Sequence, residues 1–111
     1  MAGKFVISKR SNGDFQFNLK AGNGQVILAS QGYADNGGCS NGIESVKKNA
    51  TDDARFERKT SSNGKPFFNL LAGNGQVIGS SEMYESEASR DNGIASVKAN
   101  APDASVVDET A

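Results

Sequence analysis

Asn41, Ser45 and Asn49 recur four residues apart, and Asn92, Ser96 and Asn100 repeat the same series further along the chain. On a helix this spacing lines one face with amide and hydroxyl groups, which can hold a small polar ligand or a partner. The same side chains bond local backbone readily, so the face can equally cap the helix and tether a neighbouring loop. Little else suits chemistry. Histidine is absent, which removes the usual base near neutral pH, the Ser-His and Cys-His pairs and the commonest metal ligand. Ser45 and Lys47 make no nucleophile–base pair, because residues two apart point to different sides of a helix, and Lys48 is Ala99 in the second series. Asp52 and Asp103 are the acidic pair common to both series; each follows a helix end, where a turn role is expected. Gly22-Asn23-Gly24 and Gly73-Asn74-Gly75 have the glycines of a phosphate loop, but they lead into strands rather than a helix N-terminus and lack the Lys-Ser/Thr that completes one. No segment has the alternating Asp/Asn spacing and closing Glu of a calcium loop.

These residues predict no catalytic group, no metal site and no cofactor, and they read as a non-enzymatic binding or interaction module. The alternative is weak nucleic-acid association through Lys9, Arg10, Lys20, Lys47 and Lys48, all in the first half. A formal net charge of -1 argues against it, since phosphate backbones reward a basic field.

The elements that position these residues follow from a repeat. At an offset of 51 (63 minus 12), Asn12-Gly13 falls on Asn63-Gly64, Ala21–Ile27 on Ala72–Ile78, and Asn41-Gly42-Ile43 on Asn92-Gly93-Ile94, with no gap. Each copy opens with a short β-rich run, then an Asn-Gly turn for which a type I′ hairpin is expected. Phe15, Phe17 and Leu19 alternate with polar residues as a half-buried strand does, and a second glycine turn leads to a third strand, Gln25 to Ser30. Ile43, Val46 and Ala50, repeated as Ile94, Val97 and Ala101, make the apolar stripe of an amphipathic helix. The first helix is expected over Ser40–Ala50 and the second from Ser86, its N-cap, to near Asn100. Gly42 and Gly93 inside these helices predict close packing on the sheet. The strand Arg55 to Lys59 aligns backwards on Lys4 to Ser8 and forwards on Val106 to Thr110, so it closes one unit and opens the next.

The expectation is therefore an α+β fold of two tandem β-β-β-α-β units, about residues 4–54 and 55–108, sharing one antiparallel sheet with both helices on one face in a single domain 1–111. The predicted core is Phe5, Phe17, Leu19 and Ile27 with Phe56, Phe68, Leu70, Ile78 and Val107. The other face is expected to carry Val6, Gln16, Asn18, Lys20, Val26 and Leu28, then Phe67, Asn69, Leu71, Val77 and Gly79, as a possible contact surface. Cys39, the single cysteine, falls on Arg90, and a position taking both residues is expected to face solvent. No apolar run is long enough to span a membrane and the start lacks the apolar stretch of a leader, so a soluble, cytoplasmic chain is expected. A tandem chain holds its own pseudo-dimer, which predicts a monomer.

Two copies of Ala-Gly-Asn-Gly-Gln-Val-Ile, then Tyr, then Asn-Gly-Ile-x-Ser-Val-Lys-x-Asn-Ala resemble the YegP-like family of small bacterial proteins across essentially the whole chain. The resemblance implies two β(3)-α-β units joined in one sheet with their C-terminal strands exchanged. It implies no activity, cofactor or catalytic residue to carry over.

Overall fold

The computed structural model describes residues 3–110; Met1 and Ala2, part of the start read as leader-free, and Ala111 lie outside them. The elements run β1 (Lys4–Lys9), β2 (Phe15–Lys20), β3 (Val26–Ala29), α1 (Asn36–Asn49), a 3-10 turn (Asp53–Arg55), β4 (Phe56–Thr60), β5 (Pro66–Leu71), β6 (Val77–Ser80), α2 (Glu87–Asn100) and β7 (Ser105–Asp108). They make one seven-stranded sheet in the order β4-β5-β6-β3-β2-β1-β7. The sheet is mixed rather than wholly antiparallel, because β7 runs parallel to β1. β3 and β6 meet at the centre through a single partner pair, Ala29 and Ser80, which are themselves equivalent in the repeat. An approximate two-fold therefore passes between them.

All four hairpins are built alike, and not as type I′ turns. Gly13 donates its N–H to the Arg10 carbonyl (2.9 Å) and Arg10 its own to Asp14 (2.7 Å). Among the described residues Gly13, Gly24, Gly64 and Gly75 take positive φ and no other residue type does. A type I′ turn needs positive φ at two central residues; these are three-residue loops with glycine at the left-handed position. Asn12, Asn23 and Asn74 hold the loops by accepting from the backbone N–H two residues on, each at 3.0 Å.

Beside the inner hairpins the ladder slips. Leu19 pairs with Leu28 but Lys20 with Val26, leaving Ile27 as the extra residue of a bulge. Strict alternation would send Leu28 to the open face; the bulge turns both Ile27 and Leu28 into the core. The same slip between Leu70 and Leu71 brings Gly79 opposite Leu70, so Leu28 and Gly79 leave the face assigned to them by alternation. Leu28 reaches over Gly79: a Cβ there would stand 2.8 Å from its Cγ and Cδ2.

α1 begins at Asn36, four residues before the expected start (40 minus 36), because Asp35 caps it by accepting from the Gly38 N–H. Asp35 is the repeat partner of Ser86, which caps α2 through Ser89 as expected. Such a cap stabilises a helix by about 1 kcal/mol. Both helices lie against the side of the sheet carrying Phe5, Phe17, Leu19 and Leu28 in one half and Phe56, Phe68 and Leu70 in the other. Tyr33 stacks on Phe17 and Tyr84 on Phe68, with centroids 6.3 Å apart in each pair.

Two buried-or-exposed expectations reverse. Val107 is 40% exposed and Val106, the partner of Phe5, 48%, because β7 is an edge strand whose residues are all exposed. Cys39 is fully buried, and Arg90 is also buried. The reason lies at the sheet edges. β7 covers the outer side of β1, so Ile7 and Cys39 belong to the apolar core. β4 has no outer neighbour in the sheet, and there the equivalent residues are Arg58 and Arg90. Arg58 reaches Asp91 (3.2 Å) and Asp53 (3.7 Å), and Lys98 also pairs with Asp53 (2.7 Å). Charges along an exposed edge discourage further strand pairing.

These ion pairs set a pH dependence. Hydrogen bonding by Lys98 lowers the Asp53 pKa, that of Arg58 lowers Asp91, and that of Lys65 lowers Glu85. A carboxylate with a lowered folded pKa contributes stability above its unfolded value and loses it as the pH falls through the folded one. Urea midpoints are thus expected to hold down to about pH 4 and then fall with acidification. Asp53→Asn with Asp91→Asn should flatten that fall; an unchanged acid limb in the double variant would contradict the assignment.

Candidate functional site

α1 presents Asn41, Ser45 and Asn49 toward the β5–β6 hairpin of the opposite half. Between them runs an open groove of about 520 Å³, walled by that helix face, by Ala72, Gly73 and Asn74 of the hairpin, and by Arg55. Glu44 and Lys48 form its outer rim on the helix. The 3-10 turn sets the position of Arg55. Asp52 starts that turn by accepting from the Ala54 N–H (3.0 Å) and lies 3.6 Å from the Arg55 Nε. One terminal nitrogen of Arg55 lies over the hairpin, 3.8 Å from where a Cβ on Gly73 would be.

The six polar helix residues do not all face this space. Asn49 is buried and donates its amide to the Ser45 carbonyl (2.8 Å) and Oγ (3.2 Å). Asn100 does the same with Ser96 at the same distances. These pairs brace the last helical turn, while Asn41 and Asn92 are exposed. Asn92, Ser96 and Asn100 lie on α2, whose end sits against the first half: a Cβ on Gly3 would stand 3.2 Å from the Asn100 Cβ and in collision with the Lys20 carbonyl. The two trios therefore lie at separate positions related by the approximate two-fold.

Applying the repeat offset to the groove keeps most of its lining. Asn41, Ser45, Asn49, Ala72, Gly73 and Asn74 become Asn92, Ser96, Asn100, Ala21, Gly22 and Asn23. Arg55 becomes Lys4, because β1 stands where β4 does, but Glu44 and Lys48 become Ala95 and Ala99. Charge at the helix rim thus distinguishes the two halves. Arg55 as a wall of this groove was not legible beforehand; Asp52, expected in a turn, starts the turn that places it. The offset could have flagged Glu44 and Lys48, being the charged helix positions that turn to alanine.

The basic residues of the nucleic-acid alternative do not converge. Lys9 lies over the Phe15 ring (5.2 Å), and Arg10 donates to Gln16 (2.7 Å). Lys20 pairs with Lys4 at the far end of the β1–β2 ladder from Lys9. Lys47 lies 6.0 Å from the Phe5 ring, on the helix side. Cys39, sealed in the core, has its thiol pKa pushed up by burial and then by the charge of Asp108, the opposite of an activated nucleophile. Asp103 is exposed in the turn after α2.

On the open face one row crosses the sheet. Ser80 donates to the side-chain amide oxygen of Asn69 (2.7 Å) and the Asn69 amide to Glu57 (3.2 Å), so a polar ladder runs from the centre of that face to the β4 edge. At the other end of the row lie Val107, exposed, and Val6, which is buried and so is not the exposed contact residue expected of that face. No helix among the described residues is long and apolar enough to cross a membrane.

The sequence pattern of a domain of unknown function, DUF1508, matches twice, over residues 11–57 and 61–108. This chain belongs to the DUF1508 family. Among its YegP-like relatives, the UPF0339 protein in the ptx operon 5' region of Stutzerimonas stutzeri is 63% identical over 108 residues, 97% of each chain. UPF0339 protein YegP of Escherichia coli K12 is 52% identical over 110 residues, 99% of this chain and all of the relative. The solution NMR structure of E. coli YegP, described as a protein of unknown function, superposes with a TM-score of 0.93 at 51% identity, covering 98% of this chain and 94% of the other. UPF0339 protein SO3888 of Shewanella oneidensis gives 0.91 at 50% identity, covering 97% and 92%. The DUF1508 repeats and the YegP-like fold agree with the tandem reading, and none of these names carries an activity.

Proposed function

We propose that this DUF1508 protein is a non-enzymatic binding module whose ligand or partner engages the groove between α1 and the β5–β6 hairpin. The observation that carries the reading is the groove itself, which collects amide, hydroxyl and charged groups from three separated segments of chain. Its side chains are suited to holding a polar molecule; no nucleophile with an adjacent base lies among them. Asn41, Ser45 and Asn49 supply the helix wall, and Asn92, Ser96 and Asn100 line the related position on α2.

The chain acts as a single domain of two repeats, about 4–54 and 55–108, in which each helix hands its following strand to the outer edge of the opposite half. The pairing of β7 with β1 supports this exchange. A monomer in the cytoplasm fits a chain that contains its own pseudo-dimer and whose one cysteine is a buried free thiol.

Spectra of labelled protein with and without cell extract test the function. Shifts confined to the groove residues are expected, with no turnover. A screen that returned a turnover activity and no binding at the groove would overturn the reading.

A further inference from the structure

We propose that the groove between α1 and the β5–β6 hairpin binds a small oxyanion, a carboxylate or phosphate group, held between Lys48 and Arg55. This rests on the reading of the groove as a ligand site and adds the charge of the ligand. Three observations carry it. First, Lys48 is exposed at the rim and makes no ion pair among the described residues, in contrast to Lys47, Lys65 and Lys98. The carboxylate on the same wall, Glu44, is paired with Lys47, which leaves the Lys48 ammonium to meet one from a ligand.

Second, cations outnumber anions on the lining, Lys48 and Arg55 against Glu44. Arg55 is contacted by Asp52 at Nε, and a terminal nitrogen lies on the groove side over Gly73. Asn74 uses its oxygen to accept from Gln76, which leaves its NH2 as the group to offer. Guanidinium, ammonium and amide donors around one space suit an acceptor-only ligand. Glu44 is the opposing charge on the same lining, and it lies 4.0 Å from Lys47, which shares its carboxylate.

Third, the approximate two-fold supplies an internal comparison. The related position on α2 keeps the asparagines, the serine, the hairpin and a cation, Lys4, but has Ala99 in place of Lys48. One groove therefore has a pair of cations and its twin has one. Beyond the shared residues, the α1 site has the ammonium of Lys48 and the carboxylate of Glu44, where the α2 position has Ala99 and Ala95.

Titration of the 15N-labelled full chain with inorganic phosphate and with acetate, at constant ionic strength, tests this, with acetamide as the uncharged match to acetate. Shifts are expected at Ser45, Lys48, Asn49, Arg55, Gly73 and Asn74 with both anions and not with acetamide. Lys48→Ala and Arg55→Ala should each weaken binding about tenfold, as removal of a charge-assisted contact does. Ala99→Lys, at an exposed helix position, should create a second responding site at Asn92, Ser96 and Asn23. Acetamide shifting the groove while both anions leave it unmoved would overturn the oxyanion and keep a ligand groove. Shifts scattered over all exposed lysines, or anion binding unchanged in both alanine variants, would also overturn it. A groove unmoved by every probe would overturn both this inference and the binding reading beneath it.

Discussion

Leu28→Ala is expected to cost about 2–5 kcal/mol, the range for removing a buried leucine, and to lower Tm by roughly 10 °C or more. Leu28 is fully buried where β3 meets β6, and the backbone ladder there has one partner pair. The seam between the halves thus depends on side-chain packing, and Leu28 fills the space that Gly79 leaves open. The two positions are equivalent in the repeat, so a symmetric protein would place leucine at both. A Cβ at Gly79 already meets Leu28 at 2.8 Å, and two full side chains cannot share the site. Gly79→Leu alone should destabilise by at least the ~1–3 kcal/mol of overpacking. Combining Leu28→Gly with Gly79→Leu should recover much of the sum of the single losses, because the leucine is then supplied from the other side of the two-fold. Urea unfolding of the four proteins measures the coupling; strictly additive losses would show that the positions do not share one space.

Gly42→Ala and Gly93→Ala are expected to reverse the usual order of helix propensity. In an exposed helix the change gains about 1 kcal/mol. Here a Cβ on Gly42 would stand 2.9 Å from the Tyr33 Cζ and 3.0 Å from the Phe17 Cε2, and nearer still to the Tyr33 hydroxyl. On Gly93 it would stand 2.7 Å from the Tyr84 Cζ. Each tyrosine ring lies between helix and sheet, stacked on its phenylalanine, a contact worth about 0.5–1.5 kcal/mol. Burial raises the pKa of both hydroxyls, in keeping with rings that are partly desolvated between helix and sheet. Each alanine should therefore cost about 1–3 kcal/mol, with the helix shifted off the ring. Thermal unfolding reads the sign directly: a raised Tm in either variant would mean that the tyrosine moves aside at little cost.

The glycines show how far one chain can be read. Gly42 and Gly93 were legible as packing residues because a helix-breaking residue recurs in both copies. Their partners, Tyr33 and Tyr84, were not, since they come from irregular segments with no periodicity to give their direction. The hairpin glycines were legible as turns, but the turn type was not, because Asn-Gly fits both a two-residue and a three-residue loop. That one extra residue matters little locally. The bulge beside Leu19 matters more, since it inverts the facing of Leu28 and Gly79 and so rewrites the core at the seam. As for the candidate site, the helix asparagines and serines were legible from their spacing of four. Arg55 was not, because the chain keeps it near the end of α1, six residues on (55 minus 49), but nothing in a linear pattern brings the hairpin at Gly73 beside both.

By itself, the sequence determined what depends on neighbours along the chain: the tandem repeat, three strands and a helix in each copy, the glycine turns, the α2 cap at Ser86 and most of the apolar stripe. Those features follow from φ preferences and from periods of two and 3.6 residues, which act over a few positions. Only the tertiary structure decided which equivalent strand ends at which edge. Arg55–Lys59 and Val106–Thr110 carry the same repeat register, yet β4 pairs antiparallel with β5 at one edge while β7 pairs parallel with β1 at the other. The physical reason is occupancy. β4 takes an outer position that is free, whereas the position related to it by the two-fold is already filled by β1, so β7 adds outside. That single difference buries Ile7 and Cys39, exposes Val107, and puts charge at Arg58 and Arg90.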